Sequence, residues 1–114
     1  MLNSTVLITG GAGFIGSHLA TAFVARGQRV LVLDNLSTGN AANLDGLLAA
    51  PGFKLVEGSV LDADILGPLV EESSVIFHLA AVEVDVNGDI EKDLKVNGTS
   101  VLYMLKTCVE NKCN

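Results

Sequence analysis

The sequence has no tryptophan, one tyrosine and four phenylalanines, so its core has to be built from valine, isoleucine, leucine and alanine. Basic residues are scarce as well. Seven Lys and Arg stand against thirteen Asp and Glu, a formal charge of −6, and no basic run occurs anywhere. A nucleic-acid partner is excluded on that ground, because phosphate contacts need a basic face. A nucleotide is not excluded, since backbone N–H groups and a helix end can hold its phosphates. The two cysteines, Cys108 and Cys113, are five residues apart and fit neither a zinc knuckle nor a thioredoxin-type pair. They read as reduced thiols of a cytoplasmic protein. No apolar run approaches the roughly 18 residues of a membrane span, so no membrane partner is expected. The apolar Val6-Leu7-Ile8 has no basic segment before it and is cut short by Gly10-Gly11-Ala12-Gly13. It reads as a strand, not a signal peptide.

What is present suits one globular domain over residues 1–114: 49% hydrophobic and 18% charged residues in a chain of 114. Strand and helix patterns alternate. Thr5–Thr9 is a short apolar run followed by a glycine turn. From Phe14 the apolar positions Ile15, Leu19, Ala22 and Phe23 recur at helical spacing as far as Gly27. Arg29–Leu33, Phe53–Glu57 and Ser74–His78 read as further strands. Uninterrupted apolar strands point to a parallel sheet covered on both faces. A weak helix is predicted over Ala41–Ala50, closed by Pro51-Gly52. A second is predicted over Ala63–Glu72, with Asp62 as its N-cap and with Gly67-Pro68 expected to shorten or kink it. A last helix, starting near Ile90 or Lys95 and ending at Glu110, would place Leu102, Leu105 and Val109 on its apolar face. The fold class is therefore α/β: a Rossmann-type parallel sheet of order 3-2-1-4 with helices on both faces. The pattern stops where a fifth strand is expected, so the fourth strand should form an exposed edge. Self-association through that edge, or a homodimer, is the expected consequence.

The most specific signal is Thr9-Gly10-Gly11-Ala12-Gly13-Phe14-Ile15-Gly16. It follows a strand, opens a helix, and has Asp34 at the end of the next strand, 18 residues after Gly16. Gly10 suits the tight turn, Gly13 the approach of a pyrophosphate, and Gly16 close packing of the helix. The start of the Phe14 helix offers free N–H groups and partial positive charge to phosphates. A carboxylate at Asp34 can accept both ribose hydroxyls and would repel a 2′-phosphate. No Arg follows to welcome that phosphate, so NAD is expected over NADP. The plainer alternative is a glycine turn that holds no ligand. His78, at a buried strand end, reads as a histidine bonded to its neighbours and not as a catalytic base. Asp85, Asp89, Glu91 and Asp93 cluster around Asn87-Gly88 without calcium-loop spacing, and no metal site is expected.

Together, Thr9–Leu19 (TGGAGFIGSHL), Asp34–Gly39 (DNLSTG) and His78–Ala81 (HLAA) resemble the extended short-chain dehydrogenase/reductases. Within them the chain looks most like the NAD-dependent sugar-nucleotide epimerases and dehydratases. The resemblance implies that Gly10, Gly13, Phe14, Ile15 and Gly16 line the pyrophosphate. It places Asp34 on the adenosine ribose, with Asn35, Ser37, Thr38 and Gly39 wrapped around it. Ser59 and Val60 would lie by the adenine, and Leu79, Ala80 and Ala81 beneath the cofactor. The chain departs from the family at three points. Ser59 stands where the family has an adenine-binding Asp. Lys95, not Asn, lies three residues before Gly98-Thr99, with Asn97 displaced. The family's acid/base Tyr four residues before a Lys is missing, because Tyr103 is followed at that spacing by Thr107, with Lys106 one residue nearer. The resemblance thus implies the NAD-binding first part of an enzyme that moves hydride between a sugar hydroxyl and NAD, with no catalytic residues of its own. A non-catalytic nucleotide-binding module, and a half-domain that pairs with another chain, are the alternatives.

Overall fold

A computed structural model describes residues 4–36, 40–80 and 100–110. Four parallel strands form one sheet: β1 (Thr5–Thr9), β2 (Arg29–Asp34), β3 (Phe53–Glu57) and β4 (Val75–His78), in the order β3-β2-β1-β4. Helix α1 (Phe14–Ala25) follows β1, α2 (Ala63–Glu72) follows β3, and α3 (Ser100–Glu110) comes last. The strand order and the four strand positions match the sequence expectation.

The strands are parallel and apolar because both of their faces are covered. Side chains alternate across a strand, and the register sets Val6 beside Val30 and Leu7 beside Leu31. Val6, Ile8, Val30 and Val32 pack with Ala20 of α1 and with Leu44 and Leu47 on one face. Leu7, Leu31 and Leu33 pack with Leu66, Leu69 and Val70 of α2 and Met104 of α3 on the other. Burying each large aliphatic side chain contributes about 1.5–3 kcal/mol. The sheet centre is therefore the most stable part of the described structure. Thr9, Asp34, Glu57 and His78 end the four strands along the same edge.

Four local expectations are corrected. On α1 the buried residues are Gly16, Ser17 and Ala20, whereas Ile15 and Ala22 are exposed. The first turn of the helix lies so close to the glycine turn that only small residues fit there, while Leu19 and Phe23, as expected, pack against the core further along. Ala41–Ala50 is not one helix. Only Ala41–Leu44 forms a 3-10 turn, and the segment closes with i→i−3 bonds such as Leu47 N–H to Leu44 O and Ala50 N–H to Leu47 O. Helix α2 runs unbroken through Pro68. Its Asp62 cap accepts from Asp64 N–H, and three buried aliphatic residues offset the loss at proline of about 3 kcal/mol. On α3 the face toward the core carries Met104 and Cys108, and Leu102 and Leu105 are 67% and 60% exposed. The part of that helix predicted before Ser100, Lys95 and Asn97, the acidic cluster, and the side chain of Val109 lie outside the described residues. Among those described, no helix is long and apolar enough to cross a membrane.

Candidate functional site

Strand β1 delivers the chain to Thr9, and the backbone then turns sharply at Gly10, which has φ +71°. Gly10 N–H donates to Leu33 O at 2.8 Å, and Gly13 N–H donates to Gly10 O at 3.2 Å. A side chain at Gly10 would place its Cβ 2.8 Å from Ala80 N and 2.9 Å from Leu79 C, inside the backbone that leaves β4. At Gly16 a Cβ would fall 2.5 Å from Gly10 O, so this glycine packs helix α1 onto the turn. Gly13 differs from both. Its backbone is extended (φ −76°, ψ 177°), and among the described residues a Cβ there would meet only Gly10 O, at 3.4 Å. The protein's own packing demands glycine at positions 10 and 16 but not at 13. Gly13 is half-exposed at the start of α1, where Phe14 and Ile15 are 78% and 70% exposed. The first amides of that helix have no acceptor within it and carry partial positive charge.

Asp34 is buried at the end of β2. Its Oδ2 accepts from Ala12 N–H at 2.9 Å and its Oδ1 from Leu36 N–H at 2.7 Å. The carboxylate therefore fastens the glycine turn to the loop after β2, and each oxygen keeps acceptor capacity for a further donor. Leu36 is the one described non-glycine residue with positive φ, 61°, a conformation that costs about 1–2 kcal/mol. It is held there by the bond to Asp34 and by packing against the α1-side core. The carbonyl of Ala12 is fixed from the other side. It accepts from Asn40 N–H at 3.1 Å and from Asn43 Nδ2 at 2.9 Å.

At the end of β3, Gly58 N–H donates to Asp34 O at 3.1 Å, which brings Ser59 next to the β2 end. Ser59 Oγ accepts from Leu61 N–H at 3.0 Å, and the Val60 side chain is buried in the α2-side core. At the end of β4 the hydroxyl of Thr9 is the hub. It accepts from Ala80 N–H at 3.2 Å and shares a hydrogen bond of 2.7 Å with His78 Nδ1. Burial holds the His78 pKa below the ordinary imidazole value.

The C-terminal edge of the sheet thus holds Gly10, Asp34, Asn35, Ser59, Val60, Leu79 and Ala80 at or just beyond the strand ends, and Gly13, Phe14, Ile15 and Gly16 follow at the start of α1. Ser37, Thr38, Gly39 and Ala81 lie outside the described residues, as does the side chain of Tyr103. Lys106 is exposed on α3. Four residues were missed by the reading of the sequence: Thr9, Ala12, Asn40 and Asn43. Asn and Thr often bond to backbone, but Asn43 and Ala12 are 31 residues apart and no local spacing links them. No group of His, Cys, Asp or Glu among the described residues is arranged to hold a metal.

A crevice at the C-terminal ends of parallel strands, where the sheet order reverses between β1 and β4, is the general ligand position of such sheets. Comparison with known proteins agrees with this geometry. Residues 6–114 match the model of the NAD dependent epimerase/dehydratase family. The chain is 38% identical over 102 residues to UDP-glucuronic acid decarboxylase 1 of Arabidopsis thaliana, covering 88% of this chain and 22% of that one. It is 47% identical over 76 residues to UDP-glucose 4-epimerase of Mycolicibacterium smegmatis, covering 66% and 24%. The Bordetella bronchiseptica enzyme WbmG, solved in complex with NAD, superposes with a TM-score of 0.86 at 30% identity, covering 97% of this chain and 35% of that one. The chain therefore spans about a quarter of the length of the first two relatives and about a third of the third. It belongs to the NAD-dependent epimerase/dehydratase family.

Proposed function

We propose that this member of the epimerase/dehydratase family carries the NAD-binding part of an enzyme that acts on a nucleotide sugar. The observation that supports this most is Gly13: the fold does not require a glycine there, and the space a side chain would take lies at the start of α1. A dinucleotide's pyrophosphate fits that space and those amides. In this reading Gly10, Gly13, Phe14, Ile15 and Gly16 surround the pyrophosphate. Asp34 accepts from the adenosine ribose with the lone pairs left to it, and Asn35, Ser37, Thr38 and Gly39 close around that sugar. Ser59 and Val60 border the adenine, with Leu79, Ala80 and Ala81 beneath the cofactor. Bound NAD supplies the hydride acceptor for a sugar hydroxyl in the complete enzyme. The residues of this chain bind and orient it, and the proton-transferring Tyr and Lys belong to sequence outside these 114 residues. Relatives named as a decarboxylase and an epimerase share this part, so the sugar and the reaction are decided elsewhere. A cytoplasmic location goes with the reading, since two cysteines five residues apart are not a disulfide framework.

The test is calorimetric titration of the chain with NAD and with NADP, repeated on Asp34→Asn. Saturable NAD binding, at least ten-fold weaker binding of NADP, and a smaller gap between them in the variant are expected. A folded chain that binds neither nucleotide sinks the proposal.

A second reading, pairing with another chain, is favoured by one observation. Strand β4 is an edge of the described sheet, and Val75 on it is exposed.

A further inference from the structure

Ala12, in the glycine turn, is gripped through both of its flanking peptides by residues remote in sequence. Its N–H donates to Asp34 Oδ2, and its carbonyl accepts from Asn40 N–H and Asn43 Nδ2. The arms of this grip are themselves anchored. Asn40 Oδ1 accepts from Ala42 N–H at 2.9 Å and Asn40 O accepts from Asn43 N–H at 2.9 Å, which winds the chain into the Ala41–Leu44 3-10 turn. Leu44, fully buried, pins that turn to the core. The segment after β2 therefore acts as a strut that carries the Asn43 amide to the glycine turn.

The consequence concerns where the next amides point. Each peptide is planar and only φ and ψ are free, so hydrogen bonds that hold the plane before Ala12 and the plane after it restrain the φ and ψ of Ala12 between them. With Ala12 locked, Gly13 and the first amides of α1 are held in one orientation before any ligand arrives. Ordering that turn on binding would otherwise cost about 1–2 kcal/mol per residue.

We infer that Asn43 is a positioning residue for the phosphate half of the nucleotide site, acting through the Ala12 carbonyl. This rests on the reading of the crevice as a dinucleotide site. A ligand with a pyrophosphate must then depend on Asn43, and a ligand with only the base and ribose must not. A role confined to holding the segment after β2 in place would weaken both ligands alike and lower the melting temperature.

The test uses the 114-residue chain and its Asn43→Ala and Asn43→Asp variants, titrated with NAD by calorimetry and with adenosine by NMR, with melting temperatures recorded alongside. The alanine variant should bind NAD about five-fold more weakly, the size of one neutral hydrogen bond. The aspartate variant, which has no donor and sets a charge against the carbonyl, should bind more weakly still. Adenosine affinity should change less than two-fold, and both variants should melt within a few degrees of the wild type. NAD affinity unchanged in both variants overturns the inference alone, and so does a parallel loss of NAD, adenosine and thermal stability. A folded wild type that binds no NAD overturns the dinucleotide reading and the inference with it.

Discussion

Replacing Gly10 with alanine combines two penalties that the structure allows to be separated. The first is conformational. Gly10 has φ +71°, where an L-residue costs about 1–2 kcal/mol, partly offset by the 0.4–1 kcal/mol or so gained when glycine leaves the unfolded chain. The second is steric, since the new Cβ would stand 2.8 Å from Ala80 N and 2.9 Å from Leu79 C. Both obstacles are backbone, so they cannot swing aside as a side-chain tip would, and overpacking of this kind costs about 1–3 kcal/mol. Gly27 supplies the control. It has φ +78°, and a Cβ there would meet nothing within 4 Å among the described residues. Gly27→Ala should therefore lose only the conformational part, about 0.5–1 kcal/mol. Gly10→Ala should lose about 2–4 kcal/mol once the overpacking is added. Urea unfolding of the two variants and the wild type gives these numbers directly, and an NAD titration should find binding intact in Gly27→Ala and lost in Gly10→Ala. Equal destabilisation of the two variants would refute the reasoning. It would mean that β4 does not press on the glycine turn, and that Gly10 is there for its backbone angle alone.

His78 is held below the ordinary imidazole pKa by burial, so the folded chain resists a proton that the unfolded chain accepts. Stability is then independent of this group above about pH 7.5 and falls as the pH drops through the imidazole range. In urea unfolding from pH 7.5 to 5.5, the gap between wild type and His78→Gln should shift against the wild type as the pH falls, and a constant gap would refute the assignment. At the sheet edge, the chain should self-associate through β4, and Val75→Lys should suppress the association. Light scattering at tens of micromolar tests this, and a wild type that stays at the 11.8 kDa of one chain would exclude it.

Much of the fold is legible in the sequence because its strands are short, apolar and bounded by glycine or polar residues. Val6 to Thr9 and Val30 to Asp34 are buried throughout, and a run without alternation can only be a strand covered on both faces. The helix faces were harder to read. Large apolar residues at 3.6 spacing pointed to Ile15 and to Leu102 with Leu105, yet these are exposed, and the core takes Gly16 with Ala20 and Met104 with a half-buried Cys108. Periodicity weighs how apolar a side chain is, whereas the gap between helix and sheet decides how large it can be. In α1 that gap is closed by Gly10 O and Gly11 Cα pressing on Gly16.

The sequence by itself determined the order of strand, glycine turn, helix, strand and acid, and with it the strand order and the family. These depend on spacing along the chain, which the fold inherits unchanged. Tertiary structure alone decided that Asp34 holds the glycine turn, that Thr9 joins β1 to the end of β4, and that Asn43 reaches Ala12. Those bonds link residues 22, 71 and 31 positions apart. Their partners are chosen by strand register and by where a buried leucine pins a turn, and no local pattern carries that information.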